Sequence, residues 1–398
     1  MKPIDHFKSL FSIVLTAGFL SLTSAIYAQS ITVGTIEELY AAVNNPVNVG
    51  ATIDLFPGVY MLSTTNMSGT ARPNRGRLEL QENMALQGVV GDREAVVIDA
   101  VNLPTSSFNS APPIPLTGAI RVGRGYNSIE WLTVRNAVNA AANIETELVS
   151  TPSAHIRIAH ITSTGSQRGI DVRNFGAASA GRMIEAEIVD NDLYNNTVGT
   201  LGEGLRIVNN QGATGGVIFA SLVENRSHNN LNGLLIENNR SSLAHITVYS
   251  SGDRFFENGL GALIGAGLSA GTTPANGNSV SFTAHGTHFE NNNALSFFDI
   301  GGLVIVGGEN TSIPNGTNNN TVNISLWGCR MADNNTYDLI GIGARSNPVS
   351  IGSPGVNNHV TITINGEGKG LGRWQPIEFF TDSLPFDANT TNSVTVIR

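Results

Sequence analysis

The sequence predicts an all-β solenoid, a single-stranded parallel β-helix with a short helix over its amino-terminal end. Three observations carry that prediction. A glycine followed by alternating apolar residues recurs about every thirty residues, a second strand-like segment lies between successive glycines, and each unit closes on asparagine.

The glycine segments are GIDVRN from Gly169, GLRIVNN from Gly204, GLLIENN from Gly233, GALIGAG from Gly261 and GLVIVGG from Gly302, at steps of 35, 29, 28 and 41 residues. Between them stand IEAEIVDNDLYNN, VIFASLVENRSHNN, LAHITVYSSGDRFFENG and VSFTAHGTHFENNN, with VNISLWGCRMADNN after the last. Alternation over four to six residues is the strand period, and no helical period separates the strands. Strands repeated in fixed order without helices between them coil most economically, advancing one strand spacing of about 4.8 Å per turn.

In such a coil Ile170 and Val172, Leu205 and Ile207, Leu234 and Ile236, Ala262 and Ile264, and Leu303 and Ile305 point inward, each pair above the last. At roughly 1.5–3 kcal/mol per buried side chain, one coil cannot offset its own ordering entropy; neighbours must share a core. Asparagine suits the corners because it tolerates left-handed backbone and can pass side-chain hydrogen bonds from coil to coil.

AIRVG from Ala119 and NIETEL from Asn143 fit as earlier glycine-side strands, with IEWLTVRN and HIRIAHIT as their partners, while VTITING and SVTVIR extend the frame forward. Solenoid ends need covers. Thr35 and Glu38 form a capping-box pattern ahead of Leu39, Ala42 and Val43, predicting an amphipathic helix over 36–44. The expected organisation is a leader at 1–28, a cap and first strands at 29–79, and coils over 80–398.

The leader is inferred from the basic start Lys2 to Lys8, the apolar stretch Leu10 to Leu22 and the small-residue site Ile26-Tyr27-Ala28, and implies a secreted or periplasmic protein. No later segment has the length of a membrane helix. The formal charge of −9 becomes −10 when the leader's net +1 (Lys2, Lys8, Asp5) is removed, which argues against nucleic acid as a partner. Lys369 is then the only lysine, so recognition of acidic groups falls to arginine, whose planar fork suits carboxylates. Cys329 is the single cysteine, so no internal disulfide forms. A monomer is expected.

The capping helix, GATIDLFPGVY, IEWLTVRNA and the Asn-rich coils together resemble the right-handed parallel β-helix proteins of the pectin-lyase-like superfamily, over nearly the whole chain after the leader. That resemblance implies polysaccharide as partner or substrate and, for an enzyme, a polysaccharide lyase or a glycoside hydrolase. The superfamily's catalytic series are not matched. AHGTH at 284–288 lacks the flanking acids of the polygalacturonase-like hydrolases. GLGRW, with Arg373 and Trp374, and FFDIGG, with Asp299, match only part of the pectinesterase-like set. Arg373 and Trp374 are instead candidates for stacking against sugar.

Outward residues on the glycine-side strands stack into charged rows: Arg121, Glu145, Asp171 and Arg206 in one, Glu147, Arg173 and, two coils on, Glu237 in the next. Beyond them the rows turn apolar, through Leu235, Leu263, Val304 and Gly341, with Val306 beside them; a long loop at 266–279 or 307–320 is expected to cover these. Asp171, Arg173 and Arg206 are the candidate catalytic residues, an arginine polarising a uronate carboxyl and another abstracting the C5 proton. Arg121, Glu145, Glu147 and Glu237 are candidate substrate-binding residues. No cofactor is evident, though carboxylates so arranged could hold Ca²⁺. The alternative is a ladder of ion pairs on a non-catalytic surface, adhesive or scaffold solenoid. His155, His160, His228, His245, His285 and His288 do not fall in one column and are expected at the edge of the core rather than on a metal.

Overall fold

The computed structural model describes residues 29–104, 118–138, 141–146, 151–198, 202–269, 273–293, 301–310, 317–334, 338–346, 355–365, 378–382 and 391–397. These residues form three parallel sheets, of ten, twelve and nine strands, called here the glycine-side, broad and short-strand sheets. One rung shows the plan. Arg168–Phe175 lies in the glycine-side sheet, Met183–Val189 in the broad sheet and Asp192–Tyr194 in the short-strand sheet, and Glu203–Asn210 then pairs in parallel with Arg168–Phe175. The protein therefore has the parallel β-helix fold expected from its pectin-lyase-like resemblance.

The inward columns are as the alternation requires. Ile170, Leu205, Leu234, Ala262 and Leu303 are register partners in succession, as are Val172, Ile207, Ile236, Ile264 and Ile305, and all ten belong to one continuous buried core.

Each segment read as one second strand is two strands on different sheets. IEAEIVDNDLYNN breaks at Asp190, whose φ is 48°, followed by Asn191. The buried positions change parity across the corner, from Ile184, Ala186 and Ile188 to Asn191 and Leu193, and the three-residue strand beyond it has a single inward side chain, too few to show a period of its own. The corner also separates the two histidines of AHGTH: His285 ends a broad-sheet strand and His288 begins a short-strand one.

The recurring glycines are required by close approach. A Cβ on Gly204 would stand 2.1 Å from Ser227 Oγ and 2.7 Å from Asn230 Nδ2, and one on Gly233 would stand 2.7 Å from both Asn258 Nδ2 and the Gly261 carbonyl. The asparagines that crowd them form a ladder through the corner. The backbone N–H of Asn196 donates to Asn230 Oδ1, that of Asn230 to Asn258, that of Asn258 to Asn292, and that of Asn292 to Asn334, at 2.9–3.2 Å. The preceding residues Asn195, Asn229, Glu257, Asn291 and Asp333 all have φ between 53° and 55°. Other ladders run through Asn174, Asn209 and Asn238, through Asn191, Asn225 and Asp253, and through Asn278, Asn320, Asn358 and Asn392.

The cap is the helix α1, Ile36–Asn44, with the reciprocal Thr35–Glu38 capping box in place and Leu39, Tyr40, Ala42 and Val43 buried against the first rungs. Strands at 30–33, 52–55, 58–63 and 78–79 already belong to the three sheets. No helix among the described residues is long and apolar enough to cross a membrane.

Candidate functional site

The outer face of the glycine-side sheet carries the charged rows, and the register extends them by one residue. Glu79, Arg121, Glu145, Asp171 and Arg206 are successive Cα partners. In the next row Arg173 pairs with Val208 and Val208 with Glu237. Glu147, Arg373 and Trp374 lie outside the described residues, as does the leader.

These side chains do not stand in solvent. Glu145 and Asp171 are 0% exposed, Arg173 2%, Arg206 5% and Glu237 8%. Asp171 is the centre: Arg206 Nη1 lies 3.2 Å from its Oδ2, Arg173 Nη1 3.5 Å and Arg168 Nη1 3.6 Å. Arg173 also reaches Glu145, bridging two carboxylates that would otherwise face each other across adjacent rungs. Burial pushes Asp171 up, yet the three guanidinium groups outweigh it and hold the carboxyl below its usual range.

Arg168 and Glu203 belong to the same network, with Arg168 Nε 3.1 Å from Glu203 Oε2, and reasoning from the alternation missed them. The two are register partners, and Asn232 and Leu260 continue their column. All four immediately precede a repeat glycine, a shared offset that could have revealed the column.

Glu237 differs from its neighbours. No arginine pairs with it directly; Asn239 Nδ2 donates to its Oε2 at 3.1 Å. Burial raises its pKa to about 7, with Glu309 and Glu203 adding to the rise and Arg206 and Asn239 opposing it. Arg206, held on Asp171 through Nη1, keeps a buried Nε–H without a hydrogen-bond partner. An orphaned donor on a cation close to a half-neutral carboxyl can receive an anionic group and move a proton near neutral pH.

Beyond Arg206 the row continues through Leu235, Leu263, Val304 and Ile340. Gly341 instead pairs with Ile305 in the inward column, because the residue expected to follow Val304 is one position out of register. Leu260, Val304, Val306, Ile340 and Ile342 form a second buried apolar cluster, with Leu263 packed against it. Of the loops expected as covers, 266–269 and 307–310 are strand; 270–272 and 311–316 lie outside the described residues.

Most of the candidate histidines have aromatic or carboxylate neighbours, while His245 is exposed beside Ser279 Oγ. His155 stacks on Tyr126, His160 on Trp131 and His285 on Trp327, while His288 Nδ1 faces Glu290 at 3.6 Å. Among the described residues no group of three or more His, Cys, Asp or Glu gathers as a metal site.

No family model matches the chain, and no curated protein matches it. Among solved structures it is similar to the A-module of the Azotobacter vinelandii mannuronan C-5 epimerase AlgE4, at 14% identity over 91% of this chain and 89% of that one, with a TM-score of 0.49. The AlgE6 A-module from the same organism shows 15% identity over 88% and 95%, with a TM-score of 0.30. Both identities are too low to carry an activity across, and the fold of this chain stands on its strand register.

Proposed function

We propose that the protein is an exported solenoid that binds acidic polysaccharide on its glycine-side face and removes a proton from a bound uronate there. One observation carries the reading. At the carboxy-terminal end of the charged rows, Arg206 with its unused Nε–H lies near Glu237, the carboxyl on that face pushed up to about 7. Asp171 then positions Arg206 rather than acting on substrate. Arg206 receives the uronate carboxylate and draws charge from it, which acidifies the C5 proton; ionised Glu237 accepts that proton. Loss of the C4 oxygen completes a β-elimination, with solvent protonating the leaving oxygen.

The experiment is incubation with pectate, alginate and glycosaminoglycans, with and without Ca²⁺, following ultraviolet absorbance of unsaturated uronate. Glu237→Gln should lower turnover by roughly 10²–10⁴-fold, the usual worth of a general base, with the fold intact. The complete pairing of Asp171 favours a second reading, a non-catalytic binding or scaffold solenoid with an ion-pair ladder. Retention on one of these polymers without product would select it.

A further inference from the structure

The short-strand sheet carries an unbroken run of basic residues. In the glycine-side row each arginine stands beside a carboxylate, Arg121 between Glu79 and Glu145 and Arg206 next to Asp171. On the outer face of the short-strand sheet, Arg226, Arg254, His288 and Arg330 are Cα partners on four consecutive rungs. The middle residue of each of these strands, Ser227, Phe255, Phe289 and Met331, is buried, which turns the flanking residues outward. Arg226 is exposed, and the side chains of Arg254 and Arg330 are 47% and 50% exposed.

The acids nearby do not neutralise this column. Glu290 is the shared partner of Arg330, at 2.6 Å, Arg254, at 3.5 Å, and His288, at 3.6 Å. Asp192, the register partner of Arg226, is engaged by His228 Nε2 at 3.0 Å. Glu257 is exposed at the corner beside Phe256. Among the described residues no carboxylate lies within ion-pair distance of Arg226; its guanidinium lies 5.7 Å over the Phe256 ring, and that of Arg254 lies 5.0 Å from the same ring. Phe256 ends a column of stacked rings, Tyr194 to His228 at 5.3 Å and His228 to Phe256 at 4.7 Å, which props the arginines outward.

Like charges directly opposite on neighbouring strands destabilise a sheet. In a chain of formal charge −9, two arginines in direct register with no acid between them are best explained by an anion that arrives from outside. The cations repeat at the strand spacing of about 4.8 Å along one line, so the anion that fits them is itself linear and periodic. Guanidinium groups take carboxylate or sulfate in bidentate fashion.

We infer that the Arg226–Arg254–His288–Arg330 column is a binding site for a linear anionic polysaccharide lying along the solenoid axis, with Glu290 setting the pose of Arg254 and Arg330. This site is on a different sheet from the glycine-side residues and does not depend on the reaction proposed for them. It would hold the polymer while leaving the glycine-side face open.

The test is binding of the full chain to polygalacturonate and to heparin by calorimetry, across a salt series. Arg226→Ser/Arg254→Ser should weaken binding of whichever polymer is bound by at least about tenfold and flatten the dependence of log K on log salt, since two fewer cations release counterions. Arg157→Ser, on the broad sheet, should leave binding unchanged. Binding by the unaltered protein that is indifferent to salt, equal binding of neutral dextran, tighter binding of single-stranded DNA, no binding of either acidic polymer, or undiminished binding by the folded double variant would each overturn the assignment. The salt series on the unaltered protein decides the matter even if the double variant folds poorly. The two sites fail separately: at saturating polymer the double variant should form unsaturated uronate as fast as the parent does while binding more weakly, whereas absence of product from a polymer that the parent binds tells against the glycine-side chemistry alone.

Discussion

Arg206 and Asp171 face each other across adjacent rungs, with Arg206 Nη1 3.2 Å and 3.4 Å from the two carboxylate oxygens, and Asp171 has no exposed surface. Two further arginines, Arg168 and Arg173, lie within 3.6 Å of the same carboxylate. The aspartate is thus a shared counter-charge for three buried guanidinium groups, of which Arg168 also has Glu203 and Arg173 also has Glu145.

Asp171→Ala should therefore destabilise the protein by about 3–5 kcal/mol, because it leaves buried cations uncompensated. Urea denaturation measures this directly. A variant as stable as the parent would show that the arginines can find other partners, and the network would lose its centre.

Glu237 links stability to pH. Its folded pKa of about 7 exceeds the ordinary 4.5, so the fold favours its protonated form. The contribution is complete below about pH 4.5 and is lost as pH rises to about 7. Glu237→Gln should remove that segment of the pH–stability curve, a difference of up to about 3 kcal/mol between acid and neutral solution. Parallel melting curves for parent and variant from pH 4 to 8 would refute the raised value.

Asp253 stands where a corner ladder elsewhere has asparagine. Asn225 donates both its backbone N–H and its Nδ2 to Asp253 Oδ1, at 2.7 and 2.8 Å, and Ser250 Oγ donates to Oδ2 at 2.6 Å. Burial still dominates and raises its pKa to about 6 from 3.8. Stability from the protonated form fades between about pH 4 and pH 6, so Asp253→Asn should raise the melting temperature at neutral pH and not at pH 4, by the equivalent of about 1–3 kcal/mol. Differential scanning calorimetry at the two pH values checks the sign.

Gly204→Ala should cost about 1–3 kcal/mol or more, since its methyl group would overlap Ser227 Oγ and Asn230 Nδ2 and force the corner ladder apart. Amide hydrogen exchange should show the loss of protection spreading to Asn230 and Asn258. The same substitution at Gly286, where an added Cβ meets nothing within 4 Å and the cost is the local strain of a φ of 60°, should leave those amides protected.

Much of this was legible beforehand. The inward columns through Ile207, Ile236 and Ile264, the capping helix and the sharing of a row by Asp171 and Arg206 follow from alternation, glycine spacing and the capping box, all of which act within a few residues or repeat at a near-constant step. The short-strand sheet was not legible, because its strands after the corners at Asp190 and its counterparts are three residues long with one inward side chain each, too short to declare a period. With that sheet hidden, nothing in the sequence brought Arg226, Arg254 and Arg330 into one column.

The sequence by itself determined that the chain coils, which side chains point inward and which point out, because a β-helix is written in short-range periodicity and repeated at every rung. Whether an outward charge meets water or a partner was decided only by tertiary structure. Arg206 closes on Asp171 from the next rung while Arg168 and Arg173 reach it from its own strand, and Glu290 draws in His288 beside it and Arg254 and Arg330 from the rungs on either side, and the dielectric around each group depends on everything packed over it. Spacing along a chain carries register; it does not carry burial, and burial is what separates a carboxylate locked among arginines from one poised to move a proton.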